Sequence, residues 1–111
     1  MVYDPDRFRY LYFAIDIPLM CDCISNPGMP VVPDLGIFRS SDLLAVDIAY
    51  VDAETNAPGL SVLKPYCTWN IPVSQGIEKF KAMNPMVDTT IQLKGAVKNI
   101  LGSLEYALIK I

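Results

Sequence analysis

The sequence has 111 residues, of which 52% are hydrophobic, and it carries a formal net charge of -3 with no histidine. A chain of this length fits one domain, so we predict a single domain over residues 1–111. Because histidine is the usual general base near neutral pH and the commonest metal ligand, Ser-His-Asp triads, Cys-His pairs and mixed Cys/His zinc sites within this chain are excluded.

Charge and hydropathy also narrow the partners and the location. The nine Lys and Arg residues are scattered singly, unlike the basic stripe of a nucleic-acid-binding protein. The longest apolar run, residues 10–15, is far shorter than the roughly 20 residues that cross a bilayer. The N-terminus lacks the pattern of a signal peptide, and three cysteines, an odd number, favour reduced thiols. We predict a cytoplasmic protein that binds neither nucleic acid nor a membrane.

The first third of the chain predicts two buried strands joined by a long loop. Residues 8–17 are apolar on both alternating faces over their middle, which favours a strand inside a sheet covered on both sides. Four prolines and Gly28 make residues 18–34 a loop. A loop of this length is usually functional or clamped against another element. Residues 34–38 then predict a short second strand.

Two helices are expected next. Residues 42–54 predict a central helix with Ser40 or Ser41 as its N-cap, and the helix is apolar over most of its circumference. Residues 76–83 predict a short helix capped by Ser74. The short helix has few residues of its own, so its stability must come from packing.

A third helix and a third strand complete the chain. Asp88 or Thr89 is expected to cap the helix and Gly102 to mark its end. The best amphipathic stripe in the sequence lies on this helix: Leu93, Val97, Ile100, Leu101 and Leu104. Residues 104–111 are a near-continuous apolar run that predicts a strand.

This order of elements predicts an α/β fold, with a small mixed sheet of about three strands packed by two to three helices. Three strands are few for so much apolar surface. We therefore expect oligomerisation or a partner to complete the fold.

Two cysteines at the end of the first strand are candidate metal ligands. Cys21 and Cys23 would point to opposite faces of an extended chain, so both bind one ion only if the chain turns there. Two thiolates leave a tetrahedral zinc or an iron–sulfur cluster short of ligands, and Cys67 or an aspartate would have to complete the set. The alternative is a pair of buried thiols that pack as small apolar groups.

Carboxylates near the strand ends are the second set of candidates. Asp34 opens the second strand and Asp47 interrupts the apolar central helix, while Asp16 and Asp22 flank the end of the first strand. Open α/β sheets usually bind ligands at strand ends, and four carboxylates there would hold a hard cation such as Mg²⁺. Alternatively, Asp34 is a turn residue and Asp47 makes a structural hydrogen bond. Cys21, Cys23, Asp34 and Asp47 are thus the predicted metal ligands.

The stretch DIPLMCDCISNPGMPVVPDLGIFRSSDLLAVDIAYVD, followed by IEKFKAMNP, TTIQL and LGSLEYALIKI, closely resembles the C-terminal part of the domain-of-unknown-function family three-sixty-two. That family recurs among iron–sulfur cluster-binding proteins, often beside a ferredoxin-type module. The resemblance implies that a large N-terminal portion belongs before this sequence. Arg39 departs from it, because the family usually has a small residue there. No C-x-x-C-x-x-C motif is present, so the ligation of the ferredoxin-type module is not carried over.

These observations lead to one main functional hypothesis and two alternatives. The main hypothesis is an iron–sulfur-associated α/β domain that handles a metal or electrons through Cys21 and Cys23, with an iron–sulfur cluster or zinc as the cofactor. The alternatives are an enzyme with a carboxylate-bound divalent cation such as Mg²⁺ at the strand ends, and a purely structural interaction module. A homo-oligomer or a separately encoded N-terminal partner is expected to cover the excess apolar surface.

Overall fold

Two antiparallel strands and one long helix form the centre of the fold. Strand β1, Tyr10–Ala14, pairs with strand β2, Gly36–Ser40, and the register sets Tyr12 opposite Phe38. Helix α1, Leu43–Asn56, packs against both strands. The computed structural model describes residues 4–18, 20, 23–60 and 74–111.

Two shorter helices follow α1 along the chain. Helix α2 spans Lys79–Met83, helix α3 spans Ile91–Lys98 and packs against α1, and a 3-10 turn, Pro5–Arg7, precedes β1. The α/β class with two to three helices is therefore confirmed for the described part of the chain. The sheet differs from the prediction, because the described residues form two antiparallel strands and not a mixed sheet of about three.

The predicted third strand, residues 104–111, is not a strand in this structure. These residues belong to no helix or sheet and are all exposed. Two hydrogen bonds hold the start of the segment against α1. Ser103 N donates to Asp42 Oδ2 over 2.8 Å, and the Tyr106 hydroxyl donates to Asp52 Oδ2 over 2.6 Å. The segment therefore follows α1 and forms no ladder with β2.

The central helix lies where the sequence predicts it, but its N-cap is Asp42 and neither Ser40 nor Ser41. Asp42 Oδ1 accepts hydrogen bonds from Leu44 N over 2.8 Å and from Ala45 N over 3.1 Å. The Ser40 hydroxyl instead accepts a hydrogen bond from Asp42 N. A carboxylate cap satisfies two free N–H groups and also interacts favourably with the positive end of the helix dipole.

Glu54 and Lys79 connect α1 to α2, and both are fully buried at 0% exposure. The Lys79 ammonium donates to the carbonyl oxygens of Glu54 over 3.1 Å, of Thr55 over 2.9 Å, and of Ala57. In return, Glu54 Oε1 accepts a hydrogen bond from Lys79 N over 2.9 Å. The Lys79 side chain thus satisfies carbonyl groups at the C-terminal end of α1, and the Glu54 side chain satisfies an N–H group at the N-terminal end of α2.

Burial changes the pKa of both groups in this pair. It raises the pKa of the Glu54 carboxyl to about 7, although the hydrogen bond from Lys79 N opposes the change. Burial also lowers the pKa of the Lys79 ammonium, against the attraction of the Glu54 and Glu78 charges. The sequence alone did not single out this pair, because its members are 25 residues apart along the chain.

The caps of the two shorter helices also differ from the prediction. Glu78, and not Ser74, caps α2, because its carboxylate accepts hydrogen bonds from two N–H groups of the first turn. Helix α3 has Thr90 in the N-cap position, where Asp88 or Thr89 was expected. Asp88 instead accepts hydrogen bonds from Thr90 N and the Thr90 hydroxyl, in the turn just before the helix.

The last helix ends at Lys98, before the expected stop at Gly102. Asn99 N donates to the carbonyl oxygens of Gly95 and Ala96, and Ile100 adopts a φ of 55°. A positive φ cannot continue a right-handed helix.

The core lies between the sheet, α1 and the residues that lead out of the two strands. Its central cluster consists of small and branched apolar side chains: Ala14, Ile17, Val31, Val32 and Ala57. Leu35, Phe38 and Tyr50 pack against this cluster, as do Phe80 and Met83 of α2. Among the described residues, this core covers the side of the sheet that faces α1.

Candidate interaction surface

The face of the sheet turned away from α1 carries large apolar side chains that the described residues leave uncovered. Leu11, Phe13 and Ile37 are 60%, 58% and 62% exposed. Phe13 lies opposite Ile37 and Leu11 lies opposite Arg39 in the strand register, so the four side chains share one face. We call Leu11, Phe13, Ile37 and Arg39 the outer sheet face.

The first strand was expected to be covered on both sides, and the described residues cover only one of them. In the structure α1 covers one side, where Tyr12 stacks on Tyr50 of the helix with ring centroids 4.6 Å apart. A sheet with helices on one side only leaves a second face open to solvent. The apolar residues on both faces of residues 8–17 were the sequence signal for this surface, and they indicate that a covering element is required.

Positive charge borders the outer sheet face at one end. Arg39 is exposed and makes no hydrogen bond or ion pair with any described residue. Arg9 lies just before β1 at the same end of the sheet, where the carbonyl oxygens of Asp6 and Phe8 accept hydrogen bonds from its guanidinium. The outer sheet face thus combines an apolar centre with cations and contains no carboxylate.

The covered side of the sheet holds the predicted metal ligand Asp47. Its side chain is half-buried on α1 beside the stacked tyrosines, and burial raises the pKa of its carboxyl. Burial, with a smaller contribution from the Asp47 charge, raises the pKa of Tyr12. Burial also raises the pKa of Tyr50, with the charges of Tyr12 and Glu54 adding to it. Burial against α1 thus favours the neutral form of both tyrosine hydroxyls.

Backbone hydrogen bonds clamp the loop that joins β1 to β2. Val31 N donates to Ile17 O, and Met20 N donates to Pro27 O, each over 2.9 Å. Val31 and Val32 are buried, so the loop enters the core at these two residues. Of the two roles expected for residues 18–34, the structure supports clamping against the rest of the domain.

Asp34 has a structural role at the base of this loop. The chain turns at Asp16, whose φ of 48° is unusual for a residue with a side chain. Asp34 Oδ1 accepts a hydrogen bond from Asp16 N over 2.9 Å and so holds the turn. This contact agrees with the alternative that Asp34 is a turn residue, and it occupies one of its two carboxylate oxygens.

The predicted metal ligands lie in different parts of the described structure. Asp34 is at the base of the loop, Cys23 is exposed near its tip, and Asp47 is on α1. Cys21 lies outside the described residues. Within residues 4–18, 20, 23–60 and 74–111, no three Cys, Asp or Glu side chains are placed to hold one metal ion. A site that includes both Cys21 and Cys23 remains a prediction.

Comparison of the chain with family models, curated proteins and solved structures finds no match in any of the three. No helix in the described part of the chain is long and apolar enough to span a membrane. The side chains of this structure are therefore the basis for assigning a function.

Proposed function

We propose that this chain is a partner-dependent α/β interaction module whose outer sheet face packs against another protein segment. The observation that carries the proposal is the set of three large apolar side chains, each more than half exposed, on one face of the sheet. Contiguous exposed apolar patches mark interaction sites. A two-stranded sheet is also only marginally stable without packing, so covering this face stabilises the domain as well as the complex.

The size of the patch indicates an interface that extends beyond the sheet. Covering the exposed part of Leu11, Phe13 and Ile37 contributes roughly 1 kcal/mol for each side chain. That total is smaller than the loss of translational and rotational freedom on association, about 4 kcal/mol or more. The loop at the end of the sheet carries further exposed apolar side chains that would enlarge the interface: Met20, Ile24 and Met29.

The charge of the outer sheet face defines the chemistry of the partner. We propose an amphipathic segment, a helix by the layering of α/β folds, with an apolar stripe bordered by Asp or Glu residues that pair with Arg39 and Arg9. A second copy of the chain would present the same cations and no carboxylate, so its complementarity is lower. The N-terminal portion implied by the resemblance to family three-sixty-two is the segment we propose, in the same polypeptide or in a separate one.

Site-specific photo-crosslinking in cells tests this proposal. A photoreactive amino acid at position 13 is expected to crosslink to an apolar segment rich in Asp or Glu, identified by mass spectrometry. The matched control is position 86, because Met86 is 93% exposed and more accessible than Phe13. Ile37→Asp should abolish the crosslink at position 13. Equal labelling at both positions, or crosslinks only between copies of this chain, would contradict the proposal.

Metal handling at Cys21 and Cys23 is a second proposal, favoured by the exposed position of Cys23 in the loop. The cofactor would be an iron–sulfur cluster or zinc, and a cytoplasmic location would keep both thiols reduced. Elemental analysis and a visible spectrum of anaerobically purified protein test it, with loss of metal expected for Cys23→Ser. A metal-free, colourless protein would contradict it. Saturable Mg²⁺ binding that Asp47→Asn removes would instead support the carboxylate-cation enzyme.

A further inference from the structure

A cleft with a volume of about 400 Å³ lies where β1, α1 and the loop between the two strands meet. Its described walls come from the second half of β1, the turn after it, both halves of the loop and the middle of α1. They include Tyr12, Asp16, Pro18, Pro27, Gly28 and Tyr50. Small-molecule sites in proteins have volumes of roughly 300–1,000 Å³. We call this space the tyrosine cleft, and its size fits a small organic ligand.

Two stacked aromatic rings form the inner wall of the tyrosine cleft. The rings of Tyr12 and Tyr50 have centroids 4.6 Å apart and an angle of 27° between their planes. Neither hydroxyl makes a hydrogen bond with a described residue. No unpaired polar side-chain atom of the described residues is sealed from solvent, so both hydroxyls are accessible. The wall therefore offers a ligand apolar ring surface together with two hydroxyl groups.

Asp16 adds a carboxylate to the cleft from the turn after β1. Its φ of 48° is a conformation that glycine adopts most easily and that aspartate tolerates better than most residues. The Asp16 backbone N–H bonds Asp34, but the Asp16 carboxylate is exposed and makes no hydrogen bond with a described residue. The turn thus uses only the backbone of Asp16, and its side chain is available to a ligand.

The charge that acts on the cleft is negative. No Lys or Arg is among the described residues that line it. Burial is the main cause that raises the pKa of Tyr12, and the Asp47 carboxylate adds to it. Burial likewise raises the pKa of Tyr50, and the carboxylates of Glu54 and Glu78 contribute. A space lined by one sign of charge favours a ligand of the opposite sign.

We propose that the tyrosine cleft binds a small organic cation, a protonated amine with an aromatic or aliphatic body. The ammonium group donates hydrogen bonds to the Asp16 carboxylate and to the tyrosine hydroxyl oxygens. The body packs against the rings of Tyr12 and Tyr50, which also attract the positive charge. A metal ion fits less well, because no three Cys, Asp or Glu side chains of the described residues are placed to hold one. The proposal does not depend on the outer sheet face.

Titration of the whole ¹⁵N-labelled chain with 2-phenylethylamine at pH 7, followed by NMR, tests the site. We expect saturable shifts of the amides of Ile17, Gly28 and Tyr50, with a dissociation constant below about 1 mM for a ligand of this size. The matched probe is 2-phenylethanol, which has the same ring and chain length without the charge. It should bind at least about tenfold more weakly, because it lacks the charged hydrogen bonds.

Variants at position 16 separate binding from folding. Asp16→Asn removes the charge and keeps the size of the side chain, and it should weaken binding of the amine about tenfold. Asp16→Gly suits the positive φ, so it should weaken binding equally while the chain stays folded by circular dichroism. The control is Glu105→Gln, which removes one exposed carboxylate outside the cleft and should leave the affinity unchanged.

Several results would overturn the proposal. The first is the absence of saturable shifts with 2-phenylethylamine, and the second is equal affinity for the amine and the alcohol. Equal loss of affinity in Asp16→Asn and Glu105→Gln would show that net charge, and not the cleft, attracts the amine. Displacement of the amine by MgCl₂ but not by NaCl of equal ionic strength would assign the cleft to a metal ion. Crosslinking at position 13 uses no amine, so the partner proposal stands or fails separately.

Discussion

The buried lysine that joins α1 to α2 leads to a specific prediction about stability. Lys79→Met replaces a fully buried ammonium with an uncharged side chain of similar length. The substitution removes three hydrogen bonds to carbonyl oxygens at the end of α1. It keeps the hydrogen bond from the backbone N of residue 79 to Glu54 Oε1, which does not involve the side chain.

The expected loss in the free energy of unfolding is about 3 kcal/mol. Each carbonyl group left buried and unsatisfied costs about 1–3 kcal/mol. The variant gains back part of this loss, because it does not have to bury a charged ammonium group. The substitution also removes the attraction between the Lys79 ammonium and the buried Glu54 carboxylate, which form no direct ion pair. Glu54 moderates that cost, because its pKa of about 7 allows it to take up a proton at neutral pH.

Urea unfolding followed by circular dichroism at pH 7 measures this loss. The matched control is Lys81→Met in the same helix, because Lys81 is exposed and its substitution should change stability by less than about 0.5 kcal/mol. A domain of this kind has a total stability of about 5–15 kcal/mol, so the two variants are readily distinguished. A loss below about 1 kcal/mol for Lys79→Met, or equal losses for both variants, would refute the assigned role of Lys79.

Three further predictions concern other contacts. Because folding raises the pKa of Glu54 from 4.5 to about 7, the folded chain binds a proton that the unfolded chain releases. The free energy of unfolding should therefore fall, on the order of 1 kcal/mol, as pH rises from about 5 to 8. Urea unfolding at several pH values measures this slope, and Glu54→Gln should remove it. An unchanged slope in the variant would contradict the raised pKa of Glu54. Gly102→Ala should destabilise the chain by about 1 kcal/mol or more, because the added Cβ displaces the Asp42 side chain. Gly95 lies in open space within α3, so Gly95→Ala should stabilise the chain by about 0.5 kcal/mol. Thermal unfolding measures both changes. The reasoning fails if the two alanine variants behave alike. Asp34→Ala should cost about 1 kcal/mol through loss of one hydrogen bond, and no change in the urea midpoint would show that the loop turn does not depend on it.

Much of the local structure follows from short-range patterns. Short apolar runs bounded by proline and turn residues predict β1 and β2, and the longer apolar run that follows the serines predicts α1, because the length and the boundaries of such runs reflect backbone geometry. The caps were harder to predict. Several polar residues near each helix start can accept from its free N–H groups, and the final backbone geometry decides between Ser40, Ser41 and Asp42.

The candidate surface could be predicted only in part. The sequence shows that residues 8–17 are apolar on both faces, and from this we expected a covered strand. It could not show that Leu11 and Phe13 lie on the side without a helix, because that depends on which face α1 packs against. Likewise, Asp34 is both a candidate ligand and a turn residue in the sequence, and only its hydrogen bond to Asp16 N reveals the structural role.

Composition and local pattern by themselves determined the α/β class, the position of α1 and the absence of histidine-based chemistry; they placed the two strands only approximately, at residues 8–17 and 34–38, where the structure has Tyr10–Ala14 and Gly36–Ser40. The tertiary structure alone decided which sheet face stays open, that Lys79 and Glu54 satisfy each other's helix ends, and that residues 104–111 follow α1 without pairing with β2. The physical reason is sequence separation. Contacts between residues more than twenty positions apart depend on how the elements pack, and no local periodicity records that packing.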